Sequence, residues 1–379
     1  MPNNKILLFG NANHQFNTNF VRRLKRKSNF TQIDIVSDRQ VKHGAKGYYD
    51  FIFCINFIHL FFRLIKQIPY LRRVYSFLLF SLKLKGIGKY DAIHVQVLNL
   101  HAVYFVLYCQ KFFDAKIIIS IWGSDYYKHS GKYRNIFLSA CNAADKITFS
   151  NEQTVSHFRN QLNCSKDNIY ICRFGLAPLE QLKEFGSMQR KEAKESLKWN
   201  KSKISITIGY NLNPAQQHIK ILDQLSKLEN YVDQIELIFP ITYGGNKKYK
   251  KELLEKVRSL DFRFIVYDEF LTDEKIATIR YASDIMIQLQ LTDQFSGSMQ
   301  EHLYARNVVI TGSWLPYQTM INSGINFISI DHVEDLAGRL EDVLKNYNSH
   351  FDNTKQNPDA VLNLSSWEQN ISDWIRLYQ

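Results

Sequence analysis

Cysteine is scarce in this chain of 379 residues: there are five, Cys54, Cys109, Cys141, Cys164 and Cys172, and no two form a C-x-x-C pair. That spacing excludes a structural zinc of the thiolate type and predicts buried, reduced thiols. A G-x-G-x-x-G turn is absent, which argues against a dinucleotide cofactor. The opening residues, MPNNKILLFGNANHQ, have no basic region leading into a long apolar run, so no signal peptide is expected. Apolar residues make up 45% and charged residues 22%, a balance that excludes collagen-like, coiled-coil and wholly disordered chains. Single cores stop growing at roughly 250–300 residues, so two domains are expected.

Acidic residues are rare at one end only. Residues 1–90 carry sixteen Lys/Arg against three Asp/Glu, a net +13, so the remaining 289 residues sum to −1. Within that quarter, residues 51–85 are dense in Phe, Leu and Ile and interrupted by Arg63, Lys66, Arg72, Arg73, Lys83 and Lys85. The longest uncharged run there, residues 51–62, is short of the roughly 17–25 residues that span a bilayer. The pattern predicts two amphipathic helices broken near Pro69, each with a basic edge. Such helices suit the interface of an anionic membrane; equally, the apolar edge could be core and the basic edge a solvated face. No nucleic-acid-binding motif accompanies the charge, so no nucleic-acid partner is expected.

The rest alternates strand and helix twice. Strands are predicted at 5–10, 32–37, 92–97, 115–121, 146–150 and 169–172, with helices at 17–27 and 100–113. A charged, helix-forming stretch at 179–203 reads as a connection. The alternation then restarts, with strands at 204–209, 235–240, 262–267, 285–289 and 308–311 and helices at 218–228, 247–260, 272–282 and 297–305. Continuous β-branched runs followed by helices indicate parallel sheets covered on both faces. The expectation is an α/β chain of two Rossmann-like domains with a cleft between them. Their bounds are 1–185 and 186–365, and a closing helix at 366–379 packs back toward the first.

In such sheets ligands bind beyond the carboxyl ends of the strands, so four strand-to-helix loops matter. The first, Gly10 to Asn17, offers polar donors and His14 as an acid or base. The second follows strand 115–121: Trp122-Gly123 supplies an aromatic plane and a hinge. Its Asp125 is a carboxylate that could accept a proton or a sugar hydroxyl, or cap the next helix. The third, Gly209 to His218 with Asn211, opens a helix whose N-terminus suits a diphosphate. In the fourth, Asp293 and Glu301 bracket a small-residue turn. Backbone N–H groups at Ser296, Gly297 and Ser298 can cradle a phosphate, and Glu301 can meet a ribose diol.

Together these loops resemble those of GT-B glycosyltransferases. Asp293-x7-Glu301 resembles the E-x7-E motif of glycosyltransferase family 4, with aspartate in the first place. Over most of the chain the likeness is to glycosyltransferase family 56, the TDP-N-acetylfucosamine:lipid II N-acetylfucosaminyltransferases. It rests on GNANHQFN at 10–17, IWGSDYY at 121–127, IGYN at 208–211 with His218, FPITYGGNKKY at 239–249, and Gln294 with Gly297. The resemblance implies transfer of a sugar from a UDP- or TDP-linked donor, held by the C-terminal domain, to a lipid-linked or saccharide acceptor on the N-terminal one. This chemistry builds bacterial surface polysaccharide or glycolipid. The third loop has no Arg/Lys pair of the family 4 kind, so Asn211, His218, Tyr243 or Lys247 would meet the diphosphate. Asp125 and His14 would face the acceptor, and Arg63, Lys66, Arg72 and Arg73 the membrane. No D-x-D motif is present, which fits a site without metal or cofactor. The expected location is the cytoplasm, peripheral on the inner face of the cell membrane. Two other readings stay open: a nucleotide-sugar 2-epimerase of the same fold, and a non-catalytic basic protein that binds membrane or nucleic acid.

Overall fold

The computed structural model describes residues 5–55, 68–123, 125–126, 134–162, 167–185 and 189–379. The chain divides into two compact units, Met1–Phe174 with Asn370–Gln379, and Gly175–Gln369.

Short apolar runs rich in Ile and Val make the strands of the first unit. They are β1 (Lys5–Gly10), β2 (Gln32–Ser37), β3 (Ile52–Cys54), β4 (Ala92–Val95), β5 (Lys116–Ser120), β6 (Lys146–Phe149) and β7 (Ile169–Ile171). Between them run α1 (Gln15–Lys27), α2 (Pro69–Lys83), α3 (Leu100–Phe112), α4 (Arg134–Ala143) and α5 (Glu152–Leu162). All pairings are parallel, in the order β3-β2-β1-β4-β5-β6-β7. β1 lies between β2 and β4, with Ile6 in register with both Ile33 and Ala92. This is where the strand order reverses, and the loops above it diverge.

The second unit opens with α6 (Pro178–Glu184) and α7 (Arg190–Ser196). Its strands are β8 (Ile204–Ile208), β9 (Ile235–Pro240), β10 (Arg263–Tyr267), β11 (Ile285–Gln288), β12 (Val308–Gly312) and β13 (Ile328–Ile330). Its further helices are α8 (His218–Leu225), α9 (Lys247–Arg258), α10 (Asp273–Ala282), α11 (Gly297–Tyr304), α12 (Gln318–Asn322), α13 (Leu336–Lys345), α14 (Tyr347–Asp352) and α15 (Asn357–Ser365). The six strands are again parallel, ordered β10-β9-β8-β11-β12-β13, and the reversal falls between β8 and β11. Ile206, Ile208, Leu237, Phe239, Ile285, Ile287 and Ile310 are all buried, as expected where helices cover both faces of a sheet.

The chain ends in α16 (Trp367–Tyr378), and its last turns complete the first core. Trp374 is fully buried, stacks on Phe174 at 4.6 Å between centroids, and donates through Nε1 to the Arg173 carbonyl. Tyr378 hydrogen-bonds His94, whose other ring nitrogen meets Ser120 Oγ at 2.7 Å. Burial pushes that imidazole down to about 3, so it is neutral inside the sheet.

Three expectations are corrected here. The division of the chain falls at 174/175 rather than 185/186. Residues 179–203 are packed rather than linking: Leu179 and Leu182 are buried against Met286, Met299 and Val309 of the second unit, and Arg190 reaches the Ala305 carbonyl at 2.8 Å. Residues 52–54, taken as the start of a helix, form an edge strand paired with Ile35–Ser37. A helix does follow at Pro69, whose ring suits the first helical position. No helix among the described residues is long and apolar enough to cross a membrane.

Candidate functional site

In the first unit the loop after β1 is laced to the loop after β2. Ser37 Oγ accepts from the Ala12 N–H at 3.3 Å, and Asn13 Nδ2 donates to the Gln40 carbonyl at 2.7 Å. His14 caps α1, its Nδ1 accepting from the Phe16 N–H at 3.3 Å. Partial burial, then the charge of Arg39, holds this imidazole below its ordinary range.

Asp125 does different work from that expected. It is buried: Oδ2 accepts from the Leu98 N–H at 3.1 Å, and Oδ1 from the N–H groups of Trp122 at 2.8 Å and Tyr126 at 3.0 Å. Burial raises its pKa and these amides oppose the rise. The carboxylate clamps the ends of β4 and β5 together, and both its oxygens are spent on backbone. Trp122 packs on Phe174 at 4.0 Å and Phe16 at 5.2 Å, in an aromatic cluster rather than as a bare plane.

The residue this loop set adds is Asp38, at the carboxyl end of β2, whose N–H meets the Gly10 carbonyl. Its Oδ1 is buried without a hydrogen-bond partner. Burial raises this carboxyl above its usual range, with Arg39 and Asn99 pulling the other way. A group poised in this manner suits a general base. Its sequence signal was an acid directly after a buried strand.

In the second unit the third and fourth loops meet above the reversal between β8 and β11. Gly209 ends β8 with φ +61; a side chain there would lie 2.9 Å from Gln216 Oε1 and 3.2 Å from His218 Nε2. His218, the first residue of α8, is buried. Its Nδ1 meets the Tyr249 hydroxyl at 3.1 Å, and its Nε2 has no hydrogen-bond partner. Burial, opposed by the Asn211 backbone, lowers this imidazole to about 4. Gln216 Nε2 donates to Gln290 Oε1 at 2.8 Å, and Tyr210 donates to the same oxygen at 3.1 Å. Ser296 caps α11, accepting from the Met299 N–H at 3.2 Å. A Cβ at Gly297 would sit 2.9 Å from Cδ2 of the Leu176 side chain.

Gln216 Oε1, Gln288 Oε1, Gln290 Nε2, His218 Nε2 and Ser298 Oγ are all buried and unpartnered. Each such group costs about 1–3 kcal/mol unless something satisfies it. Five of them on the two loops flanking a strand reversal mark a seat for a polar ligand.

Glu301 is less free than its sequence position suggested. Its Oε2 lies 3.1 Å from Arg280 Nε, with the two residues only 8% and 6% exposed. Burial raises the Glu301 carboxyl and Arg280 opposes the rise. On the loop after β9, the Tyr243 hydroxyl is pushed above its ordinary range by burial, the Asn211 side chain and Arg280 opposing the rise and Glu301 adding to it. Asp293 accepts from the Tyr317 hydroxyl, and burial raises its carboxyl against that bond. Lys247 is exposed on the first turn of α9, the helix that also carries Tyr249. The structure therefore gathers Gly209, Asn211, His218, Tyr243, Asp293, Ser296, Gly297, Ser298 and Glu301 over one sheet end. To these it adds Arg280 and the glutamines.

Of the basic residues assigned to a membrane face, Arg63 and Lys66 lie outside the described residues. Arg72 is buried, its Nε donating to the Tyr104 hydroxyl at 2.9 Å, so it is a core residue. Arg73 is exposed. A cavity of about 970 Å³ lies at the amino ends of β4–β6, lined by Lys27, Tyr90, Asp91, Lys116 and Tyr378. That is the end of a parallel sheet away from its ligand loops. Among the described residues there is no group of three or more His, Cys, Asp or Glu able to hold a metal ion.

Residues 5–151 match the glycosyl transferase 4-like family model. No curated protein matches the chain. Sucrose-phosphate synthase from Thermosynechococcus elongatus is similar in structure, with a TM-score of 0.76 at 12% identity over 99% of this chain and 98% of that one. A glycosyltransferase from Rickettsia africae gives 0.74 at 13% identity over 100% and 98%. Anabaena HepE in complex with UDP and glucose gives 0.72 at 12% identity over 98% of each. At these identities the likeness shows the fold, which is GT-B: two Rossmann-like units in one chain.

Proposed function

We propose that the protein is a metal-independent glycosyltransferase that moves a sugar from a UDP- or TDP-linked donor to a lipid-linked saccharide acceptor. The observation that carries this reading is the set of unpartnered buried groups around Gly209, His218 and Ser298. It is supported by the family match of the first 151 residues and by the GT-B fold. In this reading the diphosphate takes the N-termini of α8 and α11, His218 Nε2 and the glutamine amides. Glu301, oriented by Arg280, meets the ribose. Asp38, with His14 beside it on the neighbouring loop, takes the place first given to Asp125.

The reaction balances simply. The bond from the sugar C1 to the β-phosphate oxygen breaks, and that oxygen leaves with the nucleoside diphosphate. A bond from C1 to the acceptor oxygen forms, and the acceptor hydroxyl proton passes to the carboxylate of Asp38. Neutral amides and two helix dipoles, worth about half a charge each, stabilise the departing diphosphate. An acceptor with a diphosphate-lipid tail accounts for the excess of +13 in residues 1–90, and the enzyme would work peripherally on the inner face of a cell membrane. Family 56, with TDP-linked N-acetylfucosamine, is the specific form of this proposal.

A thermal-shift screen of UDP, TDP, GDP and CMP tests the donor. Stabilisation by one of the first two is expected, and by none of the four would overturn the reading. Incubation with the nucleotide sugar and no acceptor separates it from epimerisation. The donor sugar should be recovered unchanged in configuration or hydrolysed.

A further inference from the structure

Gln290 holds two side chains at once. Its backbone carbonyl accepts from Trp314 Nε1 at 2.9 Å, and its side-chain oxygen accepts from Gln216 Nε2 at 2.8 Å. The same peptide group is pinned at its other end, where the Leu291 N–H donates to the Ala215 carbonyl at 2.9 Å. The loops after β8, β11 and β12 thus meet at one residue.

The indole is fixed on a second side as well. A Cβ at Gly312 would overlap its six-membered ring, so that ring lies against bare backbone at the end of β12. Even so, Trp314 is 38% exposed. A rigid aromatic surface open to solvent, beside a few convergent polar groups, has the composition of a small-molecule site.

The polar groups narrow the ligand class. With its Nε2 spent on Gln290, the Gln216 amide has one atom left, Oε1, which is buried and without a hydrogen-bond partner; the residue is 2% exposed. An acceptor oxygen repels phosphate oxygens and takes a hydroxyl. It therefore suits the sugar of the donor, while amide N–H groups suit its diphosphate. A pyranose carries hydroxyls around its rim and C–H groups on its faces, the two features that an amide oxygen and an indole plane can meet. The charge at this corner is negative. Tyr210 also donates to Gln290 Oε1, and burial, then the Asp293 carboxylate, pushes its hydroxyl up. A carboxylate on the ligand would be repelled by Asp293.

We infer that Trp314 and Gln216 recognise the sugar of the donor, a neutral pyranose lying by one C–H face on the indole with a hydroxyl on Gln216 Oε1. This rests on the reading of the second unit as the donor site, and adds to it the residues that select the sugar.

The test is calorimetric titration of the full chain with UDP, TDP, UDP-glucose, UDP-galactose, UDP-N-acetylglucosamine, TDP-glucose and UDP-glucuronate. At least one neutral nucleotide sugar should bind about tenfold more tightly than its own free diphosphate. UDP-glucuronate should gain nothing over UDP. Trp314→Leu should erase the gain, whereas Trp314→Phe keeps an aromatic plane, loses only the N–H, and should retain most of it. If the Phe variant loses the gain as fully as the Leu variant, the indole acts only as a strut for Gln290 and the stacking is overturned. Equal affinity for each diphosphate and its sugars, or a gain that survives in the Leu variant, overturns the inference and leaves the donor reading standing. A gain with UDP-glucuronate equal to that with UDP-glucose overturns the neutrality of the sugar. Binding of none of the seven compounds overturns the donor reading, and this inference with it.

Discussion

Arg280 and Glu301 form an ion pair at 3.1 Å in which both partners are almost wholly removed from solvent. Neither has a second partner of opposite charge at that distance among the described residues, so each depends on the other. Arg280→Ala should therefore destabilise the second unit by about 3–5 kcal/mol, read by urea denaturation. Glu301→Gln keeps the shape and one acceptor. It should fold, and it should weaken nucleotide-sugar affinity about tenfold or more through loss of the charged contact to the ribose. Affinity of the Gln variant equal to the native value would remove Glu301 from the site.

The His218 imidazole titrates near 4 in the folded chain and near 6.5 unfolded. Between these values the unfolded state binds more protons, so the contribution of this group is complete above pH 6.5 and is lost as pH falls toward 4. His218→Gln removes the titration. The stability difference between native and variant proteins should shrink by about 1.4 kcal/mol per pH unit across that window, and stay constant above it. Paired melts at several pH values read this directly, because all other groups cancel in the difference.

Gly209→Ala should be damaging twice over. The position has φ +61, which costs an L-residue about 1–2 kcal/mol, and the new methyl would press on Gln216 Oε1 and His218 Nε2. A loss of about 2 kcal/mol in denaturation is expected, together with weaker nucleotide binding. An unaltered nucleotide affinity would show that the loop after β8 does not touch the donor.

Asp38→Asn should leave folding and donor affinity intact while reducing transfer to acceptor by about 10²–10⁴, the range for a general base. Asp125→Asn should behave in the reverse manner. Its amide cannot satisfy the three N–H groups now bound, so stability should fall by about 1–3 kcal/mol. If the two phenotypes are exchanged, the roles assigned to these carboxylates are exchanged as well.

Strand runs such as KILLFG and IELIFP were legible because a buried parallel strand needs nothing beyond its own residues to be recognised. The loops after them followed from topology, which is why Gly209, His218 and Ser296–Ser298 stand out as candidates. Arg72 was misplaced because the phase of α2 against α3 depends on Tyr104, thirty-two residues away. Arg280 was missed for the same reason, being tied to Glu301 only through packing. The amides of Gln216, Gln288 and Gln290 carry no motif; their meaning lies in the partners they lack. β3 was hidden in a stretch so apolar that periodicity could not separate strand from helix.

The burial of Trp374 and Tyr378 beside Phe174 and His94 has a consequence for biosynthesis. The amino-terminal unit emerges from the ribosome first, yet Trp374 and Tyr378 of its core are translated only after the whole of the second unit, Gly175–Gln369. A chain cut after Gln369 would keep every residue of the second unit and lack the buried aromatic pair of the first.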